Sequence, residues 1–475
     1  MARAAILLGL FLLPAAAQDA PKKPPAEEYK DRLAKIQTSL ADQHYNLGDY
    51  LTTSAMHRWA RDEYRKSIAL NPDHESARKK LGYARTDEGW EIDPEARPEI
   101  ENKKKGDEAA KVKMQYDKRV DGFGKTMARQ WADLANFCDS NQLKAEGEAA
   151  WKKAVEYDPG HSEARKKLGY TRVGKDGPWL SKFEAAFRKE AKDGIKKAKA
   201  GQPFKDETQV EKDLGFKNEA RQSEHFLVEA PGRDQEWLKQ CVMHSEHAYV
   251  MFHKLFNQKE ELFQQPFNIV AVRDKAAHEA YVDKYNMGDS VRREFMKKGS
   301  GTIGFPRSET TLGQNPDIHD FAIHVTIQML SEHLIGGERH WLHEGLAYHF
   351  TKTMLGTALC HCTDLAGTGG GGEKNYQNPE DWPLVLRTWV RESKDPNILE
   401  VFKCHHLSEL SGAETVKAWS LVDFLVTEHR ERFIDFLSKI RGQRMDDDEK
   451  TLKDVFGWTL EDFDLRWRTY AKSSY

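Results

Sequence analysis

The chain lacks an excess of either charge. Over 475 residues, 73 lysines and arginines stand against 76 aspartates and glutamates, a net charge of −3. A nucleic-acid or anionic-membrane surface needs a basic surplus, so neither partner class is expected. Cysteine is equally sparse. Five cysteines in a chain of this length cannot form the staples of a disulfide scaffold. Because five is odd, at least one thiol has no partner within the chain. Long apolar runs are missing beyond the first residues, where a spanning helix would need about 20 in a row. Motifs for other chemistries are absent too. No G-x-S-x-G element occurs, and the glycines at 367–372 follow no strand and open no helix, which excludes a phosphate loop.

What is present begins at the N-terminus. MARAAILLGLFLLPAAAQDA has one basic residue (Arg3), an apolar run from Ala4 to Leu13 and an A-x-A pair at Ala15 and Ala17. These are the parts of a cleaved secretory signal over 1–17, cut after Ala17, and they predict export to the periplasm or beyond the cell. No integral membrane segment is expected after cleavage. A polar, proline-rich leader over 18–29 has too few apolar residues to build a core.

An internal duplication follows. PDHESARKKLGY (72–83) recurs as PGHSEARKKLGY (159–170), and each copy leads through a glycine to a tryptophan, Trp90 or Trp179. Upstream of each proline the spacing resembles a tetratricopeptide repeat. Leu47, Gly48, Ala60, Tyr64 and Pro72 match in the first copy; Trp131, Ala135, Gly147, Trp151 and Pro159 match in the second. Small residues at Gly48/Ala60 and Ala135/Gly147 would let paired helices approach closely. A generic helical bundle is the alternative. The copies lie 87 residues apart, so they form two separate units, 30–100 and 101–190, rather than a continuous array. Such repeats usually engage a protein or peptide. A charge-dense stretch at 191–222 predicts a solvated linker helix.

From 223 the texture changes. SEHFLVEAP and QPFNIVAVRD carry strand character, EWLKQCVMHSEHAYVMFHKLF has apolar residues at helical spacing, and GTIGF (301–305) reads as a short edge strand. Helices are expected near 317–334 and 340–355, with mainly helical sequence beyond. Cys138 and Cys241 fall at helix-core positions. The predicted fold class is α+β: an all-α repeat region, then a mainly helical domain over 223–475 with a small sheet at its start.

The order of elements in 223–475 resembles the gluzincin metallopeptidases, and among them the uncharacterised, exported peptidase MA-like proteins. In that family H-E-x-x-H places two zinc-binding histidines one turn apart around a base, and a glutamate on the next helix completes the site. On this chain the match runs through HVTIQ (324–328) and WLHEG (341–345). His324 takes the first ligand position, Val325 the base, Gln328 the second ligand and Glu344 the third. A valine accepts no proton, and an amide is a poor zinc ligand. The resemblance therefore implies a peptidase-like frame without hydrolysis, acting in protein or peptide binding, and with no zinc required.

The alternative is an active zinc hydrolase with a shifted ligand set, drawing on His343 or His340 together with His324 and Glu344. His340 and His343, three apart, share one helix face. A second cluster joins Cys360, His361 and Cys362 to Cys404, His405 and His406. A disulfide between Cys404 and Cys360 or Cys362 is one reading, a Cys/His metal site another, and unpaired surface residues a third.

Overall fold

The computed structural model describes residues 23–173, 177–215, 217–230, 234–263, 265–270, 275–285, 317–336, 339–358, 379–405 and 407–475. The predicted signal, the GTIGF strand, Cys360, Cys362 and His406 lie outside these residues. The chain divides into two compact units, Met1–Tyr157 and Asp158–Tyr475. That boundary falls inside the stretch expected as a second repeat unit, 101–190.

The first unit is built from helical hairpins. Helix α1 (Pro25–Thr53) packs against α2 (His57–Leu70), and α4 (Gly106–Ser140) against α5 (Lys144–Tyr157); α1 also meets α4. The leader expected to be unstructured to residue 29 is thus helical from Pro25. Proline at the first helical position has no N–H to lose, and Glu27 and Glu28 complement the helix dipole there. Gly48 explains the closeness of α1 and α2. A Cβ at this position would lie 2.5 Å from the Tyr64 ring, which fills the gap. Between α2 and α4 come a short helix, α3 (Glu75–Lys80), and a hairpin of β1 (Tyr83–Thr86) with β2 (Gly89–Ile92).

The second unit repeats the short-helix-and-hairpin element with α6 (Ser162–Lys167), β3 (Thr171–Arg172) and β4 (Trp179–Leu180), then continues into α7 (Lys182–Asp193). The stretch 191–222, expected as a linker helix, instead supplies β5 (Gln202–Phe204), the one-and-a-half-turn helix α8 (Gln209–Leu214) and β6 (Glu219–Gln222). Charge density hid the strands. Pro203 lacks an N–H but sits on the edge strand, where that donor is dispensable, and Ala220 supplies the one core-facing residue of β6.

The sheet order is β5-β6-β7-β8, with β7 (Phe226–Ala230) parallel to β8 (Phe267–Val270) and the other pairs antiparallel. A parallel pair needs a crossover, and α9 (Gln235–Phe256) provides it. Helix α10 (Lys275–Tyr285) follows β8. The core then passes to helices: α11 (Asp317–Ile335), α12 (His340–Leu355), α13 (Trp382–Glu392), α14 (Ile398–Phe402), α15 (Gly412–Ile440), α16 (Asp448–Phe456) and α17 (Leu460–Ser474). Among the described residues the unit is mainly helical, with the β3–β4 pair and the four-stranded sheet both in its first part. Among the described residues no helix is long and apolar enough to cross a membrane.

Candidate functional site

Helix α11 is apolar on nearly every face. Phe321, Ala322, Ile323, Val325, Ile327 and Leu330 are all buried, so it runs through the core. Helix α12 is equally enclosed, with every residue from Trp341 to Thr351 buried. Its approach to α15 depends on Gly345, where a Cβ would lie 2.6 Å from Val422 Cγ2 and 2.7 Å from the Ala418 carbonyl oxygen. That glycine lets the helix carrying Glu344 press against α15 while it also packs against α11.

Polar groups in so dry a place must find one another. His324 and Glu344 are 0% and 1% exposed, and His324 Nε2 lies 3.5 Å from Glu344 Oε2. Gln328, one turn beyond His324, donates its amide N–H to Glu344 Oε1. The three side chains therefore meet at one point. The Tyr348 ring, one turn after Glu344, stands edge-on to His324 with centroids 4.8 Å apart. Val325 belongs to the main hydrophobic core and contributes no polar atom.

His343 is held elsewhere. A carbonyl can only accept, so its Nε2–H donates to the Gly336 oxygen at 3.0 Å. The Ser331 hydroxyl, which donates to the Gln328 carbonyl at 2.8 Å, lies 2.7 Å from Nδ1, so its one proton is shared between the two acceptors. Burial, with the charges of His340 and Arg339 nearby, pushes the His343 pKa down to about 3 against the opposing effect of the Gly336 bond. The ring is thus neutral with both nitrogens engaged. His340, half-buried at the start of α12, has its ring 6.5 Å from that of His343. Among the described residues no three His, Cys, Asp or Glu side chains are grouped so as to hold a metal ion.

A zinc fit can be tested on this donor set. His324 and Glu344 supply an imidazole and a carboxylate, two of the three protein ligands of a catalytic zinc. Gln328 faces the carboxylate through its NH₂, so it presents a donor hydrogen where a metal needs a lone pair. Val325 leaves no group to accept a proton from water. These residues do not fit a hydrolytic zinc centre. What they do form is a buried cluster in which the half-buried Gln328 amide bonds Glu344 Oε1, while Glu344 Oε2 faces His324 Nε2 at 3.5 Å without a hydrogen bond.

A larger polar assembly lies beside it on α15. Asp423 receives the hydroxyls of Tyr470 (2.8 Å) and Tyr475 (2.9 Å), with Arg188 Nη2 at 3.3 Å and His349 Nδ1 at 3.2 Å. Burial alone would raise the Asp423 pKa. Contact with His349, the Arg188 charge and the Tyr470 hydroxyl outweigh it and hold the carboxyl well below its usual range. Arg188 also reaches Glu184 at 3.0 Å, and the Thr427 hydroxyl donates to Glu184 at 2.9 Å. The sequence reading missed this assembly and the Ser331 lock. The available signal for the assembly was an aspartate, Asp423, in the apolar run LVDFLV.

Comparison of the chain with known protein families, with characterised proteins and with solved structures gives no match.

Proposed function

We propose that this protein is an exported, gluzincin-like peptidase relative in which the helical repeats bind protein or peptide and the former metal frame serves as a packed body without hydrolysis. The observation that carries the reading is the pairing of Gln328 with Glu344 beside His324. Supporting it, two helices bring His324, Gln328 and Glu344 together, and an amide donor stands where the resemblance would put a second imidazole. The His324–Glu344 contact gives the buried carboxylate an internal partner, and Val325 removes the base. A shifted ligand set is disfavoured by the two hydrogen bonds that hold His343. Recruiting it would break both and leave the Gly336 carbonyl and Ser331 hydroxyl to be satisfied anew.

Metal analysis of the purified chain tests this directly. The unmodified protein should carry far less than stoichiometric zinc and cleave no peptide. Gln328→His should raise bound zinc toward one per chain, because it completes an imidazole–imidazole–carboxylate set without adding a buried charge. Adding Val325→Glu should then be required before any peptide hydrolysis appears. Stoichiometric zinc in the unmodified chain, lost on replacing His343, would overturn the proposal in favour of an active hydrolase.

A further inference from the structure

The duplicated element folds the same way twice. In the first copy His74 caps α3 by accepting the Ala77 N–H at 3.2 Å; in the second His161 accepts the Ala164 N–H at 3.2 Å. Arg78 Nε donates to the Pro72 carbonyl at 2.8 Å, and Arg165 Nε to the Pro159 carbonyl at 2.9 Å. Each of these guanidinium groups then covers a tyrosine, Arg78 over Tyr83 at 5.0 Å and Arg165 over Tyr170 at 4.7 Å. A second arginine covers the tryptophan, Arg85 over Trp90 at 5.7 Å and Arg172 over Trp179 at 5.8 Å. Gly82 and Gly169, at φ +89° and +83°, make the turn that brings helix and hairpin together.

The two copies differ in what covers them. Arg165 is fully buried, and its Nη2 donates to Glu428 of α15 at 2.7 Å. Trp179 and Leu180 of the same copy are buried as well. The contact falls at the one non-helical residue of α15, His429, next to Glu428. In the first copy Arg78, Tyr83 and Trp90 are only half-buried, and no carboxylate meets the Arg78 Nη groups among the described residues. Trp90 Nε1 is shielded from water without an acceptor. Ile92, opposite Tyr83 in the hairpin, is 73% exposed.

We propose that the Arg78–Tyr83–Trp90 knuckle is a docking surface for a helix of another protein that presents a carboxylate among apolar side chains, as Glu428 does to Arg165. The second copy supplies the precedent for both charge and shape. A second molecule of this chain is a poor occupant, since its Glu428 already holds its own Arg165. An intramolecular partner at millimolar effective concentration outcompetes one in solution. The inference rests on the part of the functional reading that assigns protein binding to the repeats, and it is independent of the zinc frame.

The probe is a helix-stabilised, fluorescein-labelled peptide of residues 416–433, which carries Glu428, titrated into the full-length protein. It should bind, and Arg78→Ala should weaken it about tenfold or more, the range for a charge-assisted hydrogen bond. Glu428→Gln in the peptide should cost the same, and the two changes together no more than either alone. Arg78→Glu should be rescued by a Glu428→Lys peptide. Arg78 is partly solvent-exposed, so circular dichroism should report unchanged folding in each variant. Absence of binding, or binding indifferent to Arg78 or to the peptide glutamate, would overturn the proposal. Arg78-dependent binding of anionic vesicles or RNA with no binding of the peptide would overturn it too. Zinc analysis is blind to all of these outcomes, so failure here and failure of the peptidase-like reading remain distinguishable.

Discussion

Between pH 7 and pH 5 the chain should lose about 2 kcal/mol of stability through one residue, His343. Its pKa in the folded state is about 3, whereas an unfolded histidine titrates near 6.5. The folded value lies below the unfolded one, so the unfolded chain takes up the proton first as pH falls. This contribution is therefore intact above about pH 6.5 and declines steadily toward pH 3. At pH 5 an unfolded imidazole is about 97% protonated, and linkage sets the loss at about 2 kcal/mol. Moving the folded value up by a full unit hardly changes that figure, because the unfolded state dominates at this pH. The buried His247 and the half-buried His253 are also lowered by burial and add to the slope. The informative quantity is consequently a difference. Urea denaturation at both pH values should show His343→Gln losing about 2 kcal/mol less than the wild type between them. Glutamine can keep one donor toward Gly336 and one acceptor toward Ser331, and any uniform destabilisation cancels. Equal slopes in the two proteins would refute the argument, since they would mean that His343 is protonated or solvated in the folded state.

Gly345→Ala should destabilise the second unit despite a gain of about 1 kcal/mol in helix propensity. The new methyl would stand 2.7 Å from a backbone oxygen that cannot rotate away, and overpacking costs about 1–3 kcal/mol. A thermal midpoint lower by several degrees is expected, and a rise would contradict the packing account. Gly48→Ala tests the first unit in the same manner. Tyr64 is anchored through its hydroxyl to Thr52 at 2.8 Å and Asp49 at 3.2 Å, so its ring cannot swing clear; thermal unfolding should report a loss. The buried pair Arg339–Asp448, bonded at 2.7 and 2.8 Å, sets a third expectation. Asp448→Ala should cost about 3–5 kcal/mol by leaving a buried guanidinium without its carboxylate. The double change Arg339→Met/Asp448→Leu should recover most of that loss in chemical denaturation.

The elements that periodicity specifies were legible. Helices expected near 317–334 and 340–355 appear at Asp317–Ile335 and His340–Leu355, and the strand character of FLVEA and FNIV matches β7 and β8. The meeting of His324, Gln328 and Glu344 follows from one-turn spacing on α11 and the position of Glu344 on the next helix. The strands within 191–222 were not legible, because strands of three and four residues carry too few core positions to outweigh a lysine- and glutamate-rich composition. The engagement of His343 was hidden for another reason. Its partners are a hydroxyl on a different helix and a backbone carbonyl in the turn between them.

The knuckles make the same division plain. The order PxHxxARKKLGY by itself determined a histidine-capped turn, an arginine folded back on its proline carbonyl and a glycine-turned hairpin, because those contacts span at most a few residues. It determined them identically in both copies. Whether each arginine then met a carboxylate was decided only by tertiary structure, since Glu428 lies 263 positions from Arg165 and reaches it through the packing of α15. Likewise HVTIQ and WLHEG determined which groups could stand together, a valine and an amide where a base and an imidazole would serve a peptidase. Packing α12 against both α11 and α15 decided that the Gln328 amide would meet the Glu344 carboxylate, because a buried carboxylate without water draws its donor from within the chain.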